Sequence, residues 1–403
     1  MPLSIDDIYA AQRRIAGSIY VSPCPESPAL SELTGSRIFC KLDSLQRTGS
    51  FKERGARNAL LLLPADKRQR GVIAVSAGNH ALALACHGRN LGIPVTVVMP
   101  RFAPLIKVAT CRRFGAKVVL FGENFAEART KADELAAAEG LAYIHGFDDP
   151  AVIAGQGTIG LELLEQVPDL DAVIVPVGGG GLLAGVSLAI KTIRPSVLVI
   201  GVEAAVMPSF TQALAAGHVV ACDARPTLAD GLATTRLGDN AFAILQTRVD
   251  RALTVSEESI ALAILRLIEL EKSVVEGAAA APLAALLSGQ LPELRGKCVA
   301  LLLCGGNIDP LVLCRLIEVG LAADGRLSRF VATISDRPGG LAHLASLIAE
   351  TGASIQQITH DRVYSGPDVS KVRVVCDVET HDADHIERLL RALAAKGIEV
   401  RRQ

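Results

Sequence analysis

The chain has 403 residues, 50% hydrophobic and 21% charged, enough for two or three domains with sizeable buried cores. A net charge of −1, 3% aromatic residues and no basic patch interleaved with aromatics exclude a nucleic-acid binder of the electrostatic kind. The 9 cysteines are odd in number and scattered, without a Cys-x-x-Cys pair or a His at zinc-finger spacing, so they read as reduced thiols of a cytoplasmic protein.

Met1 to Asp7 lacks the basic stretch and apolar core of a signal peptide. The first stretch with chemical promise is Ser50-Phe51-Lys52-Glu53-Arg54-Gly55-Ala56, ahead of a helix expected over Arg54 to Leu63. A lysine beside an aromatic ring can capture a carbonyl as a Schiff base. An exposed helical lysine is the commoner reading of such a residue by itself.

From Ile73 onward, short Val/Ile-rich runs alternate with helical patterns. Strands are expected at 73–76, 95–99, 117–120 and 141–144, with helices at 80–91, 105–114 and 124–139 between them. The alternation continues with strands at 172–176, 197–203 and 297–304. Continuous apolar strands interleaved with helices predict parallel sheets covered on both faces, with ligands at the carboxyl ends of the strands. Ala172 to Ile190 carries no charge and approaches the length of a membrane span, but Pro176 and the run Gly178 to Gly181 break it into strand, loop and helix. No membrane partner is expected.

After Val319 the pattern changes. Residues 322–326 are short and polar, a linker, and a βαββαβ order follows: strands at 328–335, 353–362, 370–378 and 399–401, helices at 341–351 and 383–396. That is the ferredoxin-like arrangement of a separate domain.

Three motifs sit at expected strand ends. Ser76-Ala77-Gly78-Asn79-His80 opens a helix, where free N–H groups and the helix dipole suit a carboxylate; a plain turn capped by Asn79 is equally compatible. Gly178-Gly179-Gly180-Gly181-Leu182 is hard to explain without close backbone approach to a ligand, and successive N–H groups in such a loop cradle phosphate. Cys304-Gly305-Gly306-Asn307, at a strand end before a helix, is by itself a buried thiol followed by a turn.

Together these motifs resemble the fold-type II pyridoxal-phosphate enzymes, specifically the threonine dehydratase (threonine ammonia-lyase) family. The resemblance rests on Leu45-Gln46-Arg47-Thr48-Gly49-Ser50-Phe51-Lys52, Ser76 to His80, Ile153-Ala154-Gly155-Gln156-Gly157-Thr158, Gly178 to Leu182, Glu276-Gly277-Ala278 and Cys304 to Asn307, in that order. It implies an α/β fold of two open, twisted, mostly parallel domains of the tryptophan synthase β type. A small subdomain, about 50–148, would be inserted in a large one formed by 1–49 and 149–322. It also implies that Lys52 holds pyridoxal 5'-phosphate as a Schiff base and that Phe51 packs on the ring. Asn79 would bond the phenolic oxygen, and Gly178, Gly179, Gly180, Gly181 and the Leu182 N–H would hold the phosphate. Cys304 would face the ring nitrogen, and Ser76, Ala77, Gly78, Asn79 and His80 would bind the substrate carboxylate. The activity implied is β-elimination of L-threonine to 2-oxobutanoate and ammonia, with L-serine as a slower substrate giving pyruvate.

Racemases of the same group carry Ser where this chain has Ala77, which favours elimination. Glu203 matches one cation ligand of the metal-dependent members, but Met207 and Ser209 follow it, so no metal is expected. Residues 327–403 resemble the ACT domains, amino-acid-sensing modules, through Asp336-Arg337-Pro338-Gly339-Gly340-Leu341. The resemblance implies an effector site at Asp336, Gly339, Gly340 and Leu341, regulation by a branched-chain amino acid, and a homo-oligomer, dimer or tetramer. The other readings are a serine or 3-hydroxyaspartate dehydratase, a racemase, or a non-catalytic amino-acid sensor.

Overall fold

The computed structural model describes residues 3–361 and 370–403; Met1, Pro2 and Arg362, the expected end of one strand, lie outside them. The chain divides into two units, Met1–Asp309 and Pro310–Gln403.

The first unit contains two sheets. Four strands lie in the order Lys117–Leu120, Val95–Met99, Val72–Val75 and Ala142–Tyr143, all parallel. Their sequence falls between the strands of a second, six-stranded sheet, ordered Glu26–Ser27, Arg37–Lys41, Cys298–Leu302, Ala172–Pro176, Leu198–Ala204 and Arg251–Val255. That sheet is parallel except for the edge strand Glu26–Ser27. The strands Val72–Val75, Val95–Met99, Ala172–Pro176 and Cys298–Leu302 are buried along their whole length, because helices cover both faces.

The uncharged stretch Ala172 to Ile190 forms a strand, a glycine loop and part of the helix Gly181–Ile193. Among the described residues no helix is long and apolar enough to cross a membrane. The helix Gly181–Ile193 packs tightly on the helix Pro150–Gln166 because glycines face each other there. A Cβ at Gly185 would stand 2.5 Å from the Gly157 nitrogen.

The helix carrying the lysine runs Lys52–Leu62, beginning two residues before the expected start at Arg54. The turn forms early because Phe51 already has helical torsions, φ −53° and ψ −20°, and its carbonyl accepts from the Arg54 N–H at 3.1 Å. Arg54 is fully buried and anchors the helix. Its guanidinium donates to Asp43 at 2.8 and 2.9 Å and to Glu162 at 2.5 and 2.9 Å, and Lys41 donates to Glu162 at 2.6 Å.

The second unit opens with the helix Pro310–Ala323, the helix expected after the Cys304–Asn307 turn, which runs two residues into the expected linker 322–326. Gly325, with φ +74°, turns the chain into a βαββαβ fold whose four antiparallel strands lie in the order Ser354–Asp361, Lys371–Glu379, Leu327–Ser335 and Glu399–Arg402. Ser328, Phe330, Ala332 and Ile334 are buried at alternate positions, so one face of the sheet meets the helices Gly340–Glu350 and Ala383–Ala395.

Candidate active site

The carboxyl ends of Val72–Val75, Ala172–Pro176 and Cys298–Leu302 converge on one cavity of about 460 Å³ in the first unit. Phe51, Lys52, Ser76, Ala77, Gly78, Asn79, His80, Gly178, Gly179, Gly180, Gly181, Leu182 and Cys304 all line it. Residues as distant in the chain as Lys52 and Cys304 thus share one cavity, because both sheets point their carboxyl edges into the cleft.

Lys52 is half-buried, and its Nζ donates to the Gly146 carbonyl at 2.6 Å, 5.1 Å from the centre of the Phe51 ring. Burial penalises its ammonium form and pulls its pKa down to about 8, against partial compensation from Cys304 and Glu276. About a tenth of the amine is then neutral at pH 7, far more than for an ordinary lysine, which makes it a competent nucleophile.

The four glycines form another part of the wall. A Cβ at Gly178 would lie 2.8 Å from the Gly231 carbonyl oxygen, and one at Gly179 would enter the Phe147 ring. Gly180 has φ +90°, a torsion that side chains resist, and starts the helix Gly181–Ile193. A helix N-terminus leaves its first N–H groups without intrahelical partners, so this loop presents donors to an anion.

The Ser76–His80 turn is built likewise. Ser76 Oγ accepts from the Gly78 N–H at 3.2 Å and the Ala81 N–H at 3.4 Å, while a Cβ at Gly78 would meet nothing within 4 Å. The turn is open on its cavity side. His80 is buried with Nε2 3.1 Å from the Ile144 carbonyl; burial first, then Lys52, pull it down to about 3, so the ring is neutral and donates that bond. Asn79 Nδ2 donates to both carboxylate oxygens of Glu276, at 2.8 and 3.0 Å. Burial pushes the Cys304 thiol well above 9, so the sulfur facing the cavity is uncharged.

Several lining residues carry no sequence signal for their place here. Phe147 packs its ring on Gly179 and its carbonyl on Gly181, and Lys107 pairs with Asp230 at 2.9 Å across the cavity. Glu276 belongs to a motif visible in the sequence, an acid at the head of a long apolar run, but its contact with Asn79 spans 197 positions. Glu203 serves locally: it accepts from the N–H groups of Phe210 at 2.6 Å and Thr211 at 2.8 Å and from Thr211 Oγ1 at 2.8 Å, capping the helix Ser209–Ala216. Asp336, Gly339, Gly340 and Leu341 lie in the second unit at the start of the helix Gly340–Glu350, where Gly339 has φ +92° and open space around it.

A pyridoxal-type cofactor fits these residues. The glycine loop is packed too closely by its neighbours to carry side chains and opens a helix N-terminus, a backbone site suited to a phosphate, and the depressed amine of Lys52 stands in the same cavity.

Comparison with known proteins agrees with the geometry. The family model described as pyridoxal-phosphate dependent enzyme matches residues 15–305. An L-threonine ammonia-lyase of Thermotoga maritima is 44% identical over 399 residues, 99% of each chain. Among solved structures, a threonine deaminase from T.th. superposes with a TM-score of 0.72 at 44% identity, covering 76% of this chain and 99% of that one. Maize serine racemase superposes at 0.75 with 33% identity, covering 80% and 99%. The chain therefore belongs to the pyridoxal-phosphate dependent enzyme family.

Proposed function

We propose that this enzyme deaminates L-threonine to 2-oxobutanoate and ammonia, with L-serine as a slower substrate giving pyruvate. The observation that carries the reading is the Lys52 amine, held at 2.6 Å from the Gly146 carbonyl in the cavity that also holds the Ser76–His80 turn and the glycine cradle. The T. maritima relative named L-threonine ammonia-lyase supports the substrate.

Pyridoxal phosphate, when bound, engages the amino group of the substrate and withdraws the electrons left at Cα. Lys52 would hold the cofactor, and its amine would take the proton from the substrate Cα. The N–H groups at Ser76 to His80 grip the substrate carboxylate, which fixes the Cα–H bond toward Lys52. Gly178 to Gly181 and the Leu182 N–H would hold the phosphate, Phe51 would pack on the ring and Asn79 would bond its phenolic oxygen. Cys304, an uncharged thiol, would not keep the ring nitrogen protonated, which would favour loss of the β-hydroxyl, balanced as water by the proton removed from Cα, over exchange at Cα. Ala77 can carry no proton to the second face of Cα, which disfavours racemisation. The released enamine hydrolyses to the oxo acid and ammonia.

The second unit is read as an ACT module at which a branched-chain amino acid binds around Asp336, Gly339, Gly340 and Leu341. Its single copy per chain supports a homo-oligomer. The scattered free cysteines support a cytoplasmic setting. The test is product analysis: L-threonine should yield equimolar ammonia and 2-oxobutanoate with a higher kcat/KM than L-serine or 3-hydroxyaspartate. Accumulation of a D-amino acid, or preference for another substrate, would refute the assignment.

A further inference from the structure

Asn79 is held from two sides. Its Nδ2 donates to Glu276, and its Oδ1 accepts from Asn307 Nδ2 at 3.0 Å. The same Asn307 nitrogen donates to the Thr48 carbonyl at 2.6 Å, so Asn307 is pinned as a donor. Turning the Asn79 amide over would set its oxygen against a carboxylate and its nitrogen against another N–H. Both contacts would be repulsive, so one orientation is imposed by partners 197 and 228 positions away.

Glu276 is 3% exposed and stands at the N-terminus of the helix Gly277–Leu287. Two glycines keep room for its carboxylate: a Cβ at Gly305 would overlap Oε1, and one at Gly231 would lie 3.4 Å from it. The charged and titratable groups around it are Lys52, Asp230, Lys107 and the Cys304 thiol. Burial, with Asp230 adding to it, pushes the Glu276 carboxyl up to about 7. Only above that pH is it predominantly the carboxylate that accepts at both oxygens and excludes the reversed amide.

We propose that Glu276 is a positioning residue that, together with Asn307, locks the Asn79 amide in the single orientation in which it meets pyridoxal phosphate, and that Gly305 is glycine to make room for it. This rests on the cofactor reading proposed above. It joins Glu276, Gly305 and Asn307, three residues without a role in that reading, into one device.

The test titrates pyridoxal phosphate into the cofactor-free full chain and follows the visible absorbance, for wild type, Glu276→Gln, Asn79→Ala, the double variant and Gly305→Ala. Glu276→Gln and Asn79→Ala should each weaken binding about tenfold, the scale of one charge-assisted hydrogen bond. The double variant should be no weaker than Asn79→Ala alone, because Glu276 acts only through Asn79. Gly305→Ala should match Glu276→Gln, and the change of wild-type affinity near pH 7 should vanish in Glu276→Gln. Should Glu276→Gln not fold, Glu276→Asp, a methylene short, must show the same coupling to Asn79→Ala. Effects that multiply in the double variant, or a Glu276→Gln protein that binds like wild type at every pH, would overturn the role of Glu276 while leaving the cofactor site intact. A wild-type protein that never develops the absorbance would overturn the cofactor reading and this one with it.

Discussion

At the scale of single residues the site works by removing water from charge. The Lys52 ammonium is disfavoured by burial, so the amine is half neutral near pH 8 instead of near 10.5. On the proposed reading, only the neutral form would be competent to take up the cofactor's aldehyde. The rate at which cofactor-free protein captures pyridoxal phosphate, followed by stopped-flow absorbance, should therefore rise with pH and level off above about 8. A rate still climbing tenfold per pH unit at 9 would mean an ordinary exposed lysine. The identities of these residues were legible in the sequence because each belongs to a short local motif, Phe51-Lys52, Ser76 to His80, or Gly178 to Leu182. Their partners were not: the Gly146 carbonyl that receives Lys52 and the Glu276 carboxylate that receives Asn79 are brought in by chain closure, which no local pattern encodes.

At the scale of elements, the Lys52–Leu62 helix is held from below by a buried ionic cluster. Asp43 is fully buried, which alone would raise its pKa, yet Arg54 beside it holds the carboxyl below 3.8. Arg54→Met strands the Asp43 carboxylate and leaves Glu162 paired with Lys41 alone, and such a break costs about 3–5 kcal/mol at pH 7. The sign of its pH dependence follows from the lowered Asp43 pKa: the wild-type advantage is present above 3.8 and fades as pH falls through the lower folded value. Urea unfolding at pH 7 and near pH 3 should show the gap narrowing in acid. A gap below about 1 kcal/mol, or one independent of pH, would contradict a structural role for the cluster. The strands Val95–Met99, Lys117–Leu120 and Ala172–Pro176 have the bounds their apolar runs predict. The helix Lys52–Leu62 starts two residues earlier than predicted because Phe51 already has helical torsions and its carbonyl accepts from the Arg54 N–H.

At the scale of the whole molecule, a catalytic unit and a small βαββαβ unit follow one another in the chain. The order of elements in the second was legible because its strands alternate buried and exposed residues with period 2. The helix Pro310–Ala323 that precedes it was expected after the Cys304–Asn307 turn but without bounds, since its apolar residues continue the run of the catalytic chain. If the ACT loop senses an amino acid, isoleucine or valine should shift the threonine kinetics of the full chain, and Gly339→Trp should abolish the shift while basal turnover remains. Gly339 has φ +92° and open space beside it, so the substitution blocks and strains the loop without touching a core. An unaltered response in Gly339→Trp would place the effector elsewhere.

The central claim, that Lys52 is both the cofactor anchor and the base at Cα, is tested most directly by Lys52→Ala loaded with pyridoxal phosphate and given L-threonine. The account predicts that ammonia and 2-oxobutanoate release falls to background and that the lysine-dependent visible absorbance of the wild type is lost, while the variant stays folded. A Lys52→Ala protein that keeps that absorbance and turns over L-threonine would contradict it.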